Sequence, residues 1–199
     1  YTSGLANGVH QQWYANGQKM IEGHYINGKY DGLGTRWYAN GQVFLQGKYN
    51  EDMLIGEWNQ WYKNGNKYFS GNYNDSNQEG AWIYYSPDAS DSTKVSYSNG
   101  KPKIGKKIEW YDNGKKESEI TYVKGKIKGP VTYWYDNGKK KLVENYSNNQ
   151  LDGSLIKWDK DGRKYLKQKY FNGDLREEKK YSYHVLGQIE STTEFIYNN

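Results

Sequence analysis

The 199-residue sequence has no cysteine and only three prolines. The first absence removes disulfides, thiolate metal sites and cysteine nucleophiles together, and it leaves the redox compartment open because exported proteins can also do without cysteine. The second excludes a Pro-rich extended linker. Aliphatic residues are scarce as well: hydrophobic residues make up 35% of the chain, and 22 Tyr and 8 Trp supply most of its 17% aromatic content. Burial must therefore rest on large amphipathic rings and not on a thick aliphatic core. No run approaches the roughly eighteen apolar residues of a membrane-spanning helix, and the N-terminus lacks the charged, apolar and small-residue order of a signal peptide. A start at Tyr in place of Met nonetheless fits export to the periplasm or cell surface, the localisation favoured on these grounds.

What the chain has in quantity is glycine, 23 residues of it, and the glycines fall at fixed intervals. Trp13-Tyr14-Ala15-Asn16-Gly17 recurs at 37–41, 61–65, 110–114 and 134–138, with a weaker copy at 158–162. The spacing is 24 residues except for one gap of 49, in which Tyr85 takes the missing Trp position. A second ladder, Tyr25, Tyr49, Tyr73, Tyr97, then Tyr122, Tyr146 and Tyr170, keeps the same frame. A third, Gly8, Gly32, Gly56, Gly80, then Gly105, Gly129 and Gly153, places the one-residue insertion within Ser98 to Ile104. Self-similarity at a fixed period is the mark of a repeat architecture.

Each unit reads as two strands and two turns, for example Val9 to Ala15, Asn16-Gly17, Lys19 to Tyr25, and a turn around Asn27-Gly28. Asn-Gly between strand-like runs predicts type I′ turns, with positive φ at both central residues. Along the second strand Ile21, Gly23 and Tyr25 share one face, with Glu22 and His24 on the other; Leu166, Gln168 and Tyr170 alternate with Lys167 and Lys169 in the same way. Period two with one polar face predicts an antiparallel sheet. The expected fold is all-β, an elongated, twisted antiparallel sheet of about seven to eight stacked hairpins. It forms one array over 1–199: regular repeats at 1–85, a degenerate repeat with a one-residue insertion at 86–104, bent or loosened at 86–96, Lys-rich repeats at 105–180, and a C-terminal cap at 181–199. Tyr1 to Gly8 aligns with Tyr25 to Gly32, so the first strand is expected to begin in mid-hairpin and to present an open edge at Val9 to Trp13.

Trp13 and Tyr14 are adjacent, so their side chains are expected on opposite faces, giving one Trp and one Tyr ladder. Cross-strand packing accounts for the Trp ladder. Trp13 with Tyr14, Tyr38, Tyr62, Tyr111 and Tyr135 is the candidate aromatic binding surface. The net charge of +5 is uneven: residues 1–100 hold 7 Lys+Arg against 9 Asp+Glu, and residues 101–199 hold 21 against 14. Lys106, Lys107, Lys115, Lys116, Lys139, Lys140 and Lys141 form a candidate basic patch, which a solvated sheet face also explains.

The pattern Gly-x-x-x-x-Trp-Tyr-x-Asn-Gly followed by Tyr-x-x-Gly resembles the bacterial variant of the MORN repeat, over nearly the whole chain in about seven copies. The resemblance implies an extended sheet of stacked hairpins used for protein or lipid contacts, and some bacterial relatives carry an antitoxin-like label. It brings no catalytic residues.

No enzyme is read from the residues either. His10, His24 and His184 have no acidic or Ser partner at a telling spacing and are read as surface histidines. Asp31 and Asp152 precede glycine at a repeated turn position, where they serve backbone geometry. No metal site and no cofactor are expected. The function expected is a protein-binding scaffold; carbohydrate or cell-wall binding through the aromatic ladders, and anionic lipid or nucleic-acid binding through the basic half, are the alternatives.

Overall fold

The structure is a computed structural model that describes residues 4–184 and 187–197; the expected alignment of Tyr1 to Ser3 lies outside them. Its elements are eighteen strands, with no helix among the described residues. They fall into two compact units, 1–103 and 104–199, with the boundary inside the segment where the repeat frame shifts.

The first unit runs β1 (Gly8–Trp13), β2 (Lys19–Ile26), β3 (Lys29–Tyr30), β4 (Gly32–Trp37), β5 (Val43–Asn50), β6 (Met53–Trp61), β7 (Lys67–Asn74), β8 (Asn77–Tyr85) and β9 (Ser92–Ser98). The second holds most of β10 (Lys101–Trp110), then β11 (Lys116–Val123), β12 (Lys126–Ile127), β13 (Gly129–Trp134), β14 (Lys140–Ser147), β15 (Gln150–Trp158), β16 (Lys164–Phe171), β17 (Asp174–Tyr183) and β18 (Ile189–Ile196). Within each unit the strands of neighbouring hairpins pair antiparallel, with β3 and β4 both on β2 and β12 and β13 both on β11, and the glycine and tyrosine ladders prove to be partners: Gly8 lies opposite Tyr25, Gly32 opposite Tyr49, Gly56 opposite Tyr73 and Gly80 opposite Tyr97. In the second unit Gly105, Gly129 and Gly153 face Tyr122, Tyr146 and Tyr170. One register therefore repeats throughout. It slips by a residue at the Trp of each Trp-Tyr-x-Asn-Gly motif, as between Gln12 and Trp13 or Glu109 and Trp110, but not at Tyr85.

The two turns of each repeat differ, which corrects the expectation for the first. After Trp13-Tyr14 the loop has three residues. The Tyr14 amide donates to the Gln18 carbonyl at 2.8 Å and the Gly17 amide to the Tyr14 carbonyl at 2.9 Å. Gly17 sits at φ 82°, while Asn16 stays out of the left-handed region. This is a type I turn closed by a left-handed glycine, and the extra residue is what makes the register slip at the Trp. The second turn is type I′ as expected, with φ of 50° and 81° at Asn27 and Gly28 and of 48° and 71° at Glu51 and Asp52.

Burial concentrates on the glycine–tyrosine face. Tyr25, Tyr30, Tyr49, Trp58, Tyr73, Trp82 and Tyr97 form an unbroken chain of ring contacts, with centroids 4.2 to 6.0 Å apart. The chain is possible because the Trp58 and Trp82 indoles lie on the bare backbone of Gly47 and Gly71, where a Cβ would overlap the rings. In the second unit Val131 and Leu155 hold the corresponding places, and Ile120 and Glu144 stand where Gly47 and Gly71 do. Ring size and the absence of a Cβ change together.

The segment at 86–96, expected from the sequence to be bent or loosened, has a wider turn than the regular repeats. The β9 strand pairs with β8 residue by residue, and Val95 is fully buried. The Asp88 carboxylate organises the turn by accepting from Ser86 Oγ (2.6 Å), the Ser90 amide (3.1 Å) and Ser90 Oγ (2.8 Å). At the other end β18 pairs with β17, yet each of its residues is exposed.

Candidate interaction surfaces

The Trp-Tyr-x-Asn-Gly motif joins one repeat to the next. Each motif tyrosine donates its hydroxyl to a backbone carbonyl 23 residues on: Tyr14 to Trp37 (2.7 Å), Tyr38 to Trp61 (2.9 Å), Tyr62 to Tyr85 (2.9 Å), Tyr111 to Trp134 (2.8 Å) and Tyr135 to Trp158 (2.9 Å). Each motif asparagine does the same through its carboxamide, Asn16 to Ala39 and Asn40 to Lys63 among them. Its oxygen meanwhile accepts from the amide two residues on, in its own loop. Sequence reasoning missed these straps, although it held a signal for them. The phenol and the carboxamide disappear together in both degenerate copies, where Ser86 and Asp88, then Asp159 and Asp161, stand in their places.

The candidate aromatic surface thus has its hydroxyls engaged and its rings half-buried. Tyr38 packs edge-on against Phe44 with centroids 5.0 Å apart, and Tyr62 lies 5.1 Å from Tyr68. Tyr135 has the Lys141 and Lys160 ammonium groups 5.7 and 5.9 Å from its centroid. Partial burial, then Glu117 and Asp136, push the Tyr111 hydroxyl above its usual pKa. Trp13 differs from the tyrosines in being mostly exposed.

The candidate basic patch resolves into three kinds of contact. Lys106 and Lys116 share the Glu119 carboxylate at 2.8 and 2.9 Å. Burial alone would raise the Glu119 pKa, but the two lysines more than offset it and hold it below the ordinary range. Lys107, the next residue along β10 from Lys106 and so on the opposite face, pairs with Glu109 at 2.7 Å. Lys115 and Lys139 add further straps, reaching the Asn137 and Asp161 carbonyls of the following turn at 2.9 and 2.8 Å. Lys140 is exposed, and Lys141 stacks on Tyr135 as described.

Among the described residues no group of three or more His, Asp or Glu could hold a metal ion. His10 packs edge-on against Tyr25, 5.8 Å between centroids.

Four segments, residues 6–27, 30–51, 103–124 and 127–148, match the family described as MORN repeat variant. The segments at 54–75, 78–99 and 151–172 keep the glycine–tyrosine register of the matched ones. The chain matches no curated protein. A solved structure described as the crystal structure of TcdB2-TccC3 is 11% identical, with a TM-score of 0.20; the match covers 96% of this chain and 17% of that one. The chain therefore spans under a fifth of the length of that structure, and the likeness carries no argument.

Proposed function

Because the chain carries repeats of the MORN variant, we propose that it is a non-catalytic scaffold whose sheet faces bind another protein. MORN repeats are generally associated with protein or membrane binding. The observation that carries the protein reading is how the motif uses its own polar atoms. Phenols, carboxamides and, in the second unit, Lys115 and Lys139 after the Gly turns are engaged in joining repeat to repeat. The side chains that vary between repeats therefore stand on the strand faces. A constant junction and a variable continuous surface is how solenoids present binding sites. A membrane surface would draw on free cations, whereas Lys106, Lys107, Lys115, Lys116 and Lys139 each face a carboxylate or carbonyl oxygen.

The test is recovery of the tagged full-length chain from cells that make it, after nuclease treatment and at raised salt. One stoichiometric protein partner is expected. Flotation with anionic vesicles, with no protein partner recovered, would overturn the proposal.

A further inference from the structure

Two positions flank the ring of each motif tyrosine, six and 25 residues further on, and the five intact motifs fill them differently. Tyr14 has Met20 and Ala39 at these positions, and Tyr62 has Tyr68 and Pro87. Tyr38 has Phe44 edge-on at 5.0 Å and the Lys63 ammonium 5.9 Å from its centroid. Tyr135 has ammonium groups from both, Lys141 at 5.7 Å and Lys160 at 5.9 Å. Tyr111 alone of the five has an acid at both, Glu117 and Asp136. After partial burial, these are the two charges that raise its hydroxyl pKa, so both carboxylates stand close to it. The next repeat covers its tyrosine with its own cations, and this one surrounds its tyrosine with anions.

Those anions are little used within the chain. Among the described residues neither Asp112 nor Glu117 forms an ion pair, and Asp136 meets only the exposed Lys160, at 3.8 Å. The other lysines of these loops are engaged elsewhere: Lys115 on the Asn137 carbonyl, Lys116 on Glu119 and Lys139 on the Asp161 carbonyl. Trp110, Tyr111, Asp112, Asn113, Glu117 and Asp136 line a shallow cleft of about 420 Å³. An acidic cleft with an aromatic wall thus interrupts the Lys-rich half of the sequence.

We propose that this cleft receives an arginine side chain of a partner protein, its guanidinium against the Tyr111 ring and its N–H groups on Glu117 and Asp136. The proposal rests on the protein-binding reading above and adds a contact at the hairpin ends to those on the strand faces. A cation is selected because the face of a tyrosine ring and the carboxylates attract the same sign. One that carries N–H donors is selected over a quaternary ammonium, because the cleft offers acceptors around a ring and not a cage of rings. Form separates arginine from lysine. A planar guanidinium stacks on a ring while its fork of donors reaches outward to carboxylates, whereas an ammonium is a point charge. At Tyr135 the chain needs two lysines to cover the same two positions.

The test uses the isotope-labelled full-length chain and a blocked pentapeptide with arginine between glycines. Controls are the same peptide with citrulline or lysine at its centre, and tetramethylammonium chloride, all at equal ionic strength. The arginine peptide should shift the amide resonances of 110–117 and 136, with half-saturation on the order of 1 mM. The lysine peptide should bind more weakly, and citrulline and tetramethylammonium should leave these resonances in place. Glu117→Lys installs what Lys141 holds in the next repeat, and Asp136→Lys what Lys160 holds, so both variants are expected to melt like the parent. Each should weaken the arginine peptide about tenfold or more. Asp75→Lys makes the same change of net charge at a distant turn, where Lys124 stands in its own repeat, and should leave binding unchanged. No shift with the arginine peptide, equal binding by any of the three controls, unchanged binding in Glu117→Lys, or an equal loss in Asp75→Lys would overturn the proposal. Equal recovery of a native protein partner by parent and Glu117→Lys would sink this cleft and leave the broader reading standing. Failure of the broader reading shows instead as no native partner with either protein.

Discussion

At the scale of single residues, a few polar atoms and missing side chains set the fold. Tyr38→Phe removes one strap and leaves the Trp61 carbonyl without its donor, which is expected to lower stability by about 1 kcal/mol. Asn40→Ala loses both its inter-repeat and its loop bond and should cost more, about 1–2 kcal/mol. Chemical denaturation of the two variants checks the order; equal stability to the parent would show the straps to be incidental. Gly71→Ala drives a methyl into the buried Trp82 indole, and overpacking there is expected to cost about 3 kcal/mol or more. Gly17→Ala meets no atom and suffers only its positive φ, about 1 kcal/mol. Thermal melts separate the two. Asp88 titrates in the other direction from a buried acid. Its bonds from Ser86, then from Ser90, hold its pKa down to about 2 from an ordinary 3.8. A depressed folded value means that its contribution is complete above the ordinary value and is lost as pH falls through about 2. A carbon-detected titration of Asp88 with a midpoint near 3.8 would contradict this.

At the scale of the element, the hairpin is the unit, and its two ends are built differently. One end carries a three-residue turn with phenol and carboxamide straps; the other carries a type I′ turn whose second residue, Asp52 or Ser76, caps the backbone of the preceding repeat at Tyr30 or Leu54. Removal of residues 33–56, one whole repeat, should preserve the fold, because Tyr14 then meets the Trp61 carbonyl and Ser76 takes the place of Asp52. Removal of 33–55 shifts the frame by one and turns each following side chain to the wrong face, so it should not fold. Circular dichroism of the two deletions checks this. The period, the strand alternation and both ladders were legible in the sequence, because each rests on residues that recur every 24 positions. The first turn was not, since Asn-Gly serves both turn types and only the following bond from Tyr14 to Gln18 tells them apart. The regular pairing of β9 was hidden as well. Its turn chemistry is irregular, while Val95 holds the pairing from beneath. Of the candidate surface, the tyrosines were found and their structural duty was not, because a hydroxyl reaching 23 residues on leaves no local pattern.

At the scale of the whole molecule, the constancy of the junctions and the variation of the faces carry the functional reading. The formal charge of the sequence shifts from −2 over residues 1–100 to +7 over 101–199, yet much of the excess lysine is spent on neighbouring carboxylates and carbonyls. Partner choice is accordingly expected to depend on shape more than on net charge, with salt changing affinity modestly. The most direct measurement is the mass of the complex recovered with the tagged full-length chain at raised salt after nuclease treatment. A single protein at fixed stoichiometry is the result the account predicts. A chain that is recovered alone and floats with anionic vesicles would contradict it.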